Sequence, residues 1–356
     1  MTTADARDAR IRDIIRQHFH PEEGAPFWRD LAADLSFDPL VDVEGAADLA
    51  LFAADEAYDA FPADLLRRKP RAFVPDAWSP SAYGLWSTGG RTGDPKWTAW
   101  IKDDLFDRTV RMLDRMFVEH DVPTGRDVVH VGPTGPTVFG SAIEEAARRR
   151  NANAITIGLD AQWAGRVRSD PDLREVGVDG SYMDDVAERT RAHLRQFSDS
   201  VGVFVGTPSV LERLLTDSIL DEVSLELLVF GGESLDPETF ERFRERTSAT
   251  VVGEYGNTLF GIAPQTDYDP QREEIVYQPT FRQGIYEVMA EDELDAGRYE
   301  PVSYGNRGVV VAHVVRAGLF APYHVETDYA TRREPSAGAV VDALGNPTSP
   351  ITHGSS

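Results

Sequence analysis

The stretch at residues 87–96 combines residue types that together can bind an anion. It contains three glycines, three hydroxyl side chains, an arginine, a lysine, an aspartate and a proline: Ser87, Thr88, Gly89, Gly90, Arg91, Thr92, Gly93, Asp94, Pro95 and Lys96. Glycine and proline both disfavour a regular helix or a central strand, so we expect a loop. The backbone N–H groups of such a loop can surround an anion, while hydroxyls and cations complete the shell. The spacing is neither that of a Walker A loop nor that of a dinucleotide-binding loop, and a plain glycine-rich turn is the alternative.

Three other polar stretches come directly after predicted strands. The first is Gly206, Thr207, Pro208 and Ser209; the second is Gly231, Gly232, Glu233, Ser234 and Leu235; the third is Gly253, Glu254, Tyr255, Gly256, Asn257 and Thr258. In a parallel sheet these strand ends meet at one edge, where ligands commonly bind. Glycines there let the backbone approach a flat ligand closely. Tyr255 offers a ring for stacking on a base, and Thr258 offers a hydroxyl for a phosphate.

The elements that would position these stretches alternate along the middle of the chain. Apolar runs predict strands at residues 127–131, 154–157, 201–205, 225–230 and 250–252, and amphipathic patterns predict helices at 141–150, 183–197, 209–215 and 237–246. Such alternation is typical of an α/β protein with largely parallel sheets and helical cover. Short β-type runs separated by turn residues then predict a smaller β-rich subdomain.

These patterns divide the chain into four predicted segments. Residues 1–79 form a helical N-terminal part of the main domain, and residues 80–265 form the α/β part that carries the polar stretches. The β-rich subdomain spans residues 266–333. Residues 334–356, rich in Gly, Pro and Ser, are expected to be a loosely ordered tail with one possible strand at 339–341.

The composition narrows the functional classes. Sixty acidic residues against 36 Lys and Arg give a net charge of −24, and the lysines are Lys69, Lys96 and Lys102. Concentrated salt screens the repulsion within such an acidic, lysine-poor surface, so the composition predicts a halophilic protein. No basic stripe is present to bind nucleic acid. The sequence has no cysteine and no apolar run of membrane-spanning length, which predicts a cytoplasmic protein without a membrane partner.

The polar stretches resemble the motifs of the adenylate-forming enzymes, the acyl-CoA synthetases and their relatives. The nearest resemblance is to the phenylacetate–CoA ligase-like branch, including its phenazine-biosynthesis proteins. Residues 87–96 are similar to that family's phosphate loop, 231–235 to its Gly-Gly-Glu-x-Leu element and 254–258 to its Tyr-Gly-x-Thr-Glu motif. Residues 323–328 sit where the family has Tyr-Arg-Thr-Gly-Asp. The resemblance covers about residues 80–330 and implies the family's large-domain fold.

The resemblance also implies a function, namely ATP-dependent activation of a carboxylic acid to an acyl adenylate by an acid–thiol ligase-like enzyme. It implies a phosphate site at Ser87, Thr88, Gly89, Gly90, Arg91, Thr92, Gly93 and Lys96, with Thr258 at the α-phosphate and Asp328 at the ribose. It implies an adenine site at Gly231, Gly232, Glu233, Ser234, Glu254, Tyr255, Gly256 and Asn257. His130, Gly132, Pro133, Gly206 and Thr207 would line the acyl pocket. The implied cofactors are ATP and Mg²⁺, and the implied acceptor is external, such as CoA or a carrier protein.

The sequence also departs from the family pattern. Leu259 stands where the family has its magnesium-binding Glu, and an apolar side chain cannot bind a hard cation. Glu254 or Asp267 is the nearest substitute. Only 28 residues follow Asp328, so we expect the family's lysine-bearing C-terminal domain to be absent. A non-catalytic nucleotide- or acyl-binding protein is therefore the alternative function.

Several residues near the motifs have a structural interpretation beside the functional one. His130 lies within an apolar strand, where a histidine is commonly part of the core. Residues 131–140 form either a wall of the acyl pocket or a plain strand-to-helix turn. Glu233 is either a general base or a helix-capping side chain. The three tryptophans that flank the 87–96 loop are expected to pack beneath it: Trp86, Trp97 and Trp100.

Overall fold

The computed structural model describes residues 2–58, 61–88, 95–133, 137–160, 163, 178–215, 218–282, 284–295 and 298–349. Five of the predicted phosphate-site residues lie outside the described residues: Gly89, Gly90, Arg91, Thr92 and Gly93. Contacts divide the chain into two compact units. The first comprises residues 1–86, 96–104 and 256–356, and the second comprises residues 87–95 and 105–255.

The helices of the described residues are mostly short. They are α1 (Thr3–His18), α2 (Pro26–Ala32), α3 (Pro39–Asp42), α4 (Ala50–Ala53), α5 (Leu65–Arg68), α6 (Lys102–Leu105), α7 (Arg111–Glu119), α8 (Val138–Arg149), α9 (Val178–Gln196), α10 (Pro208–Leu214), α11 (Ile219–Glu222), α12 (Pro237–Arg246) and α13 (Glu291–Asp295). Two 3₁₀ turns span Ala46–Leu49 and Pro70–Phe73, and a π-helical turn spans Phe106–Val110. None of the helices in the described part of the chain is long and apolar enough to cross a membrane.

Thirteen strands are found among the described residues. They are β1 (Tyr83–Ser87), β2 (Trp97–Ile101), β3 (Asp127–Pro133), β4 (Ala154–Leu159), β5 (Val201–Gly206), β6 (Leu227–Phe230), β7 (Thr250–Asn257), β8 (Gly261–Asp269), β9 (Glu274–Tyr277), β10 (Ile285–Met289), β11 (Arg307–Arg316), β12 (Leu319–Arg333) and β13 (Ala343–Thr348). β1 and β2 pair with each other on either side of the predicted phosphate loop.

The second unit contains the parallel strands that the sequence predicts. Their order is β7-β6-β5-β3-β4, with parallel pairing between neighbours. Almost every residue of β3, β5 and β6 is buried, as expected for strands covered by helices on both faces. Helices α8, α9, α10 and α12 follow β3, β4, β5 and β6 in turn. The α/β prediction is therefore confirmed.

The first unit contains the β-rich part. Its strands run in the order β10-β11-β12-β13-β9-β8, and the pairs of this set are antiparallel. The N-terminal helices pack on β11 and β12: the Trp28 ring lies 5.1 Å from the Phe320 ring, and Tyr58 donates a hydrogen bond to the Pro322 carbonyl at 2.6 Å. Residues 1–86 belong to the same compact unit as the β-rich strands. The sequence segmentation instead sets residues 1–79 apart as a helical N-terminal part of the main domain.

Two local predictions differ from the structure. The tail is not loose throughout, because β13 pairs with both β12 and β9 and buries Ala343 and Leu344. β13 begins at Ala343, after the predicted 339–341 run, because there the buried apolar residues have a partner strand on each side. Within the N-terminal part predicted to be helical, residues 46–58 form a 3₁₀ turn and the short helix α4 rather than one helix, and the buried Phe52 and Tyr58 rings pack 5.6 Å apart.

Candidate active site

The carboxyl ends of β5, β6 and β7 lie side by side in the second unit. Gly206 pairs with Phe230, Phe230 pairs with Gly253, and the Gly231 N–H donates to the Gly206 carbonyl at 3.1 Å. Phe230 packs against Phe240 of α12 at 5.8 Å between ring centroids. Phe230 faces α12. Since side chains alternate along a strand, the next residue, Gly231, and its neighbour Glu254 belong to the face of the sheet opposite Phe230.

Glu254 is a buried carboxylic acid at this edge. It is 7% exposed, and its Oε1 has no hydrogen-bond partner among the described residues. A Cβ placed on Gly231 would lie 3.5 Å from the Glu254 Cβ and 3.8 Å from its Oε2, so the missing side chain of Gly231 leaves room beside the carboxyl group. Burial raises the pKa of Glu254 to about 8.

Glu233 joins the 231–235 turn to the start of α10. Its Oε2 accepts hydrogen bonds from the Ser209 N–H at 3.1 Å and from the Ser209 hydroxyl at 2.5 Å. The turn itself needs glycine, because Gly232 has a φ of +77°. Asp236 then caps α12 by accepting from the Thr239 N–H at 2.9 Å. Glu233 thus accepts hydrogen bonds in the first turn of α10, whereas α12 is capped by Asp236.

His130 faces a cavity at the carboxyl end of β3. It is 2% exposed, and its Nδ1 has no hydrogen-bond partner in the described part of the chain. The cavity has a volume of about 250 Å³, and its polar lining residues include Thr137, Ser141 and Thr156. Burial lowers the pKa of His130 to about 4, so the imidazole is neutral at neutral pH.

The predicted acyl-pocket residues fall at this same end of the parallel sheet. His130 and Pro133 line the cavity. A Cβ on Gly132 would lie 2.3 Å from the His130 Nε2, so Gly132 makes room for the imidazole. Gly206 ends β5, and Thr207 follows it, 8% exposed and with its Oγ1 unpartnered among the described residues. The cavity adjoins Pro133, but residues 134–136 of the predicted pocket wall lie outside the described residues.

In the first unit, the turn that follows β7 is held by two buried side chains. The Trp100 Nε1 donates to the Thr258 carbonyl at 2.9 Å, and the Arg316 guanidinium donates to the Leu259 carbonyl. Arg316 lies over the Trp100 ring at 3.7 Å from its centroid. Arg316 is not among the residues that the sequence predicts for the site, because an arginine at the end of a long apolar run is typical of a solvent-exposed strand end.

The end of β7, just before this turn, requires a glycine at position 256. Gly256 has a φ of +151°, and a Cβ there would lie 1.9 Å from the Gly261 carbonyl oxygen. The side chain of Asn257 accepts from the Leu259 N–H at 2.8 Å. Leu259 is 2% exposed, so the residue at the family's metal position is a packed core side chain here.

The described residues include no preformed set of protein ligands for a magnesium ion. No group of three His, Asp or Glu side chains suited to a metal is found among them. Magnesium prefers several oxygen ligands in octahedral geometry. Asp267, one of the two substitutes for the missing acid, is exposed on β8, and Glu254 is buried as a lone carboxyl group.

The remaining predicted residues have the following positions. Ser87 ends β1, and Lys96 immediately precedes β2. Asp328 is half-buried within β12, in a long strand and not in a loop. Trp100 is fully buried, whereas Trp86 and Trp97 are half-buried. Tyr255 is half-buried at the end of the second unit.

No model of a known protein family matches the chain, and no curated protein matches it. Solved structures do. One is 2-hydroxyisobutyryl-CoA ligase in complex with 2-HIB-AMP and CoA in the thioesterification state, with a TM-score of 0.67 and 18% identity over 97% of this chain and 67% of the ligase. The open conformation of that ligase gives a TM-score of 0.65 at 18% identity, over 96% of this chain and 73% of the ligase.

The chain has the fold of the adenylate-forming acyl-CoA ligases. The postadenylation state of the same ligase agrees, with a TM-score of 0.63 at 17% identity over 96% of this chain. The chain spans 66 to 73% of the length of these ligase chains. The large-domain fold that the motifs imply is therefore confirmed, and the likeness at this identity concerns the fold.

Proposed function

We propose that this chain binds ATP and activates a carboxylic acid as an acyl adenylate. The observation that carries the proposal is the match over 97% of the chain to a ligase crystallised with an acyl-AMP and CoA. In the reaction, a carboxylate oxygen attacks the α-phosphorus of ATP, the bond to the β-phosphate oxygen breaks, and pyrophosphate leaves. An external acceptor such as CoA or a carrier protein then takes the acyl group and releases AMP.

The residues of this chain serve such a reaction by positioning and by neutralising charge. The phosphate loop supplies backbone N–H groups, the hydroxyls of Ser87, Thr88 and Thr92, and the Lys96 ammonium to the pyrophosphate. Thr258 supplies a hydroxyl to the α-phosphate. The 231–235 turn and Tyr255 form the adenine site, and Asp328 binds the ribose. No step relies on a protein-held metal.

The acid end of the site lies at the carboxyl ends of β3 and β5. The cavity beside His130 suits a small acid, with a volume of about 250 Å³. His130 and Pro133 line it together with Thr137, Ser141, Glu144 and Thr156. Gly132, Gly206 and Thr207 complete the proposed acyl site. A neutral imidazole and a hydroxyl give this pocket polar groups that can orient a substrate by hydrogen bonds.

Calorimetric titration with ATP tests the nucleotide site. We expect the wild-type protein to bind ATP and the double variant Thr92→Ala, Lys96→Ala to bind it at least about tenfold more weakly, because a cation and a phosphate ligand are lost. Lys69→Ala is the matched control, since Lys69 is an exposed lysine outside the loop. Equal ATP affinities in all three proteins would show that the loop at residues 87–96 is not the phosphate site.

A non-catalytic nucleotide- or acyl-binding protein is the second candidate. Leu259 favours it, because a buried leucine stands at the position of the family's metal ligand. Pyrophosphate release in a single turnover separates the candidates. Acid-dependent release supports the enzyme, whereas ATP binding without release from any acid supports the binding protein.

We also propose two finer assignments. The motif at 87–96 supports a place in the phenylacetate–CoA ligase-like branch. The net charge of −24 with few lysines supports a halophilic protein working in a salt-rich cytoplasm.

A further inference from the structure

The imidazole of His130 lies at the buried end of the cavity beside β3. The side chain is 2% exposed, and its Nδ1 has no hydrogen-bond partner among the described residues. A Cβ on Gly140 would lie 3.6 Å from the His130 Cε1 and 3.9 Å from its Nδ1, so this edge of the ring is turned towards α8. Gly140 and His130 both line the cavity. A buried polar atom without a partner is costly, and a ligand in the cavity that supplies one removes that cost.

Polar side chains from two elements form the walls of this cavity. Thr137, Ser141 and Glu144 line it from one face of α8, since their spacing is close to one and two helical turns. Thr156 lies opposite His130 in the parallel pairing of β4 with β3, so these two side chains belong to the same face of the sheet. Glu144 and Thr156 are exposed whereas His130 is buried, so the cavity opens to solvent between α8 and β4.

The lining disfavours both apolar and anionic substrate tails. Among the described residues that line the cavity, Pro133 is the only one with an apolar side chain, and none is a lysine or an arginine. An aryl or alkyl tail would cover the His130 imidazole and the hydroxyls without giving them hydrogen bonds. A second carboxylate would have no counter-charge and would face Glu144.

The same lining favours an uncharged tail that both donates and accepts hydrogen bonds. Burial lowers the pKa of His130 to about 4, so near neutral pH one ring nitrogen is a donor and the other is an acceptor. The hydroxyls of Ser141 and Thr156 can also donate and accept. An ammonium tail would find its counter-charge in Glu144, but that carboxylate is exposed and solvent screens the pair.

The cavity lies on the same face of the parallel sheet as the proposed adenine site. His130 pairs with Val205, and Val205 pairs with Val229. Paired residues of a parallel sheet share a face, and Gly231 is two residues beyond Val229, so His130 and Gly231 belong to one face. A substrate acid in the cavity and a nucleotide at Gly231 would therefore meet on the same side of the sheet.

We propose that the acid activated by this chain has a short, uncharged tail with a hydroxyl or amide group, which hydrogen-bonds to His130 and to the hydroxyls beside it. The proposal rests on the adenylation function and names the substrate class of that site. A volume of about 250 Å³ limits the tail to a few carbon atoms. A site that hydrogen-bonds a substrate group discriminates against the analogue that lacks it, because its own polar groups are then left unpaired.

Acids of similar length with different tails test the proposal. γ-Hydroxybutyrate and succinamate carry the proposed groups, valerate carries a methyl group, succinate a carboxylate, γ-aminobutyrate an ammonium and phenylacetate an aryl ring. Binding is measured by calorimetry with ATP present, and turnover by acid-dependent ATP–pyrophosphate exchange. We expect the wild-type protein to prefer γ-hydroxybutyrate or succinamate over valerate by roughly tenfold or more. The comparison of hydroxyl with methyl is repeated with the group on the α- and β-carbons.

Two substitutions in the cavity test whether its polar groups cause the preference. His130→Leu removes both ring nitrogens, and we expect the ratio of hydroxyl to methyl acids to fall to about one, while His130→Gln, which keeps a donor and an acceptor, retains part of it. Thr156→Val replaces a hydroxyl by a methyl group at an exposed strand position and should lower the ratio severalfold without loss of folding. His193→Leu is the matched control, since His193 lies on α9 and does not line the cavity. Unfolding curves of all variants identify any that do not fold.

The outcomes separate this proposal from the adenylation function. Exchange that favours valerate, succinate, γ-aminobutyrate or phenylacetate overturns the uncharged polar tail and leaves adenylation standing. A preference for the hydroxyl or amide acids that is unchanged in Thr156→Val and in every folded His130 variant likewise overturns the assignment to this cavity. Binding of these acids that depends on the cavity residues but yields no exchange supports the tail and overturns adenylation. Failure of every acid to bind overturns both.

Discussion

At the residue scale, the buried carboxyl group of Glu254 couples the stability of the protein to pH. Its pKa is about 8 in the folded protein, against an ordinary value of 4.5. Between these values the folded state holds a proton that the unfolded chain releases, so this group makes the free energy of unfolding fall as pH rises.

Glu254→Gln removes this titration. We expect the variant to gain stability relative to wild type as pH rises from 5 to 9, reaching a few kcal/mol at the upper end. Denaturant unfolding of both proteins at pH 5, 7 and 9 measures the difference. His18 and His130, whose pKa values burial lowers to about 4, titrate equally in both proteins. A stability difference that is constant with pH would show that Glu254 does not titrate as an isolated buried acid.

Gly256, near the end of β7, is a position that tolerates no side chain. In Gly256→Ala the new Cβ would lie 1.9 Å from the Gly261 carbonyl oxygen, so we expect a loss of about 3 kcal/mol in the free energy of unfolding. Gly305→Ala is the matched control: its φ is +86° and a Cβ there meets nothing within 4 Å. We expect the control to lose only about 1 kcal/mol. Equal losses would mean that backbone conformation, and not the close approach, makes glycine necessary.

At the element scale, Glu233 ties the 231–235 turn to α10. Glu233→Ala removes the acceptor of both Ser209 hydrogen bonds, and we expect a loss of about 1 kcal/mol in stability together with weaker ATP binding. Glu233→Gln keeps one acceptor oxygen and should lose less. Chemical denaturation and ATP titration of the two variants provide the measurements. If Glu233→Ala were fully stable yet abolished turnover, Glu233 would have a chemical role instead.

The parallel strands were predictable because each is an apolar run that leads into glycine, and because amphipathic helices lie between them in the sequence. β6 and β7 illustrate this: Phe230 leads into Gly231 and Val252 into Gly253. β12 was not predictable, because its second half carries Glu326, Thr327 and Asp328 and reads as a loop motif. Its pairing with β11 and β13 on either side overrides that local polarity.

The environment of the site residues could not be predicted to the same extent. Sequence spacing placed Glu254 at a strand end, but its burial follows from the register that puts it beside Gly231. The hydrogen bond from Trp100 to the Thr258 carbonyl joins residues 158 positions apart in the chain. Contacts between residues so far apart in the sequence depend on the assembled fold and leave no signal in the local sequence.

At the scale of the whole molecule, the net charge of −24 predicts a stability that depends on salt. Raising the salt concentration from 0.1 M to 1 M shortens the Debye length from about 10 Å to about 3 Å and screens repulsion between exposed carboxylates. We expect the thermal midpoint to rise between 0.1 M and 2 M KCl. Excluded solutes, such as sulfate and sucrose, also strengthen burial of apolar surface. KCl and NaCl are therefore compared with sucrose, which has no charge and cannot screen carboxylates. A midpoint that falls or stays level in KCl would contradict a halophilic surface.

The central claim is that a chain with this fold turns over ATP with a carboxylic acid. ATP–pyrophosphate exchange in molar KCl, driven by amino, hydroxy, aryl and fatty acids in turn, tests it most directly. We expect exchange that needs an acid and is lost in the double variant Thr92→Ala, Lys96→Ala. Clear ATP binding with no exchange from any acid would contradict it and leave the chain a nucleotide-binding protein.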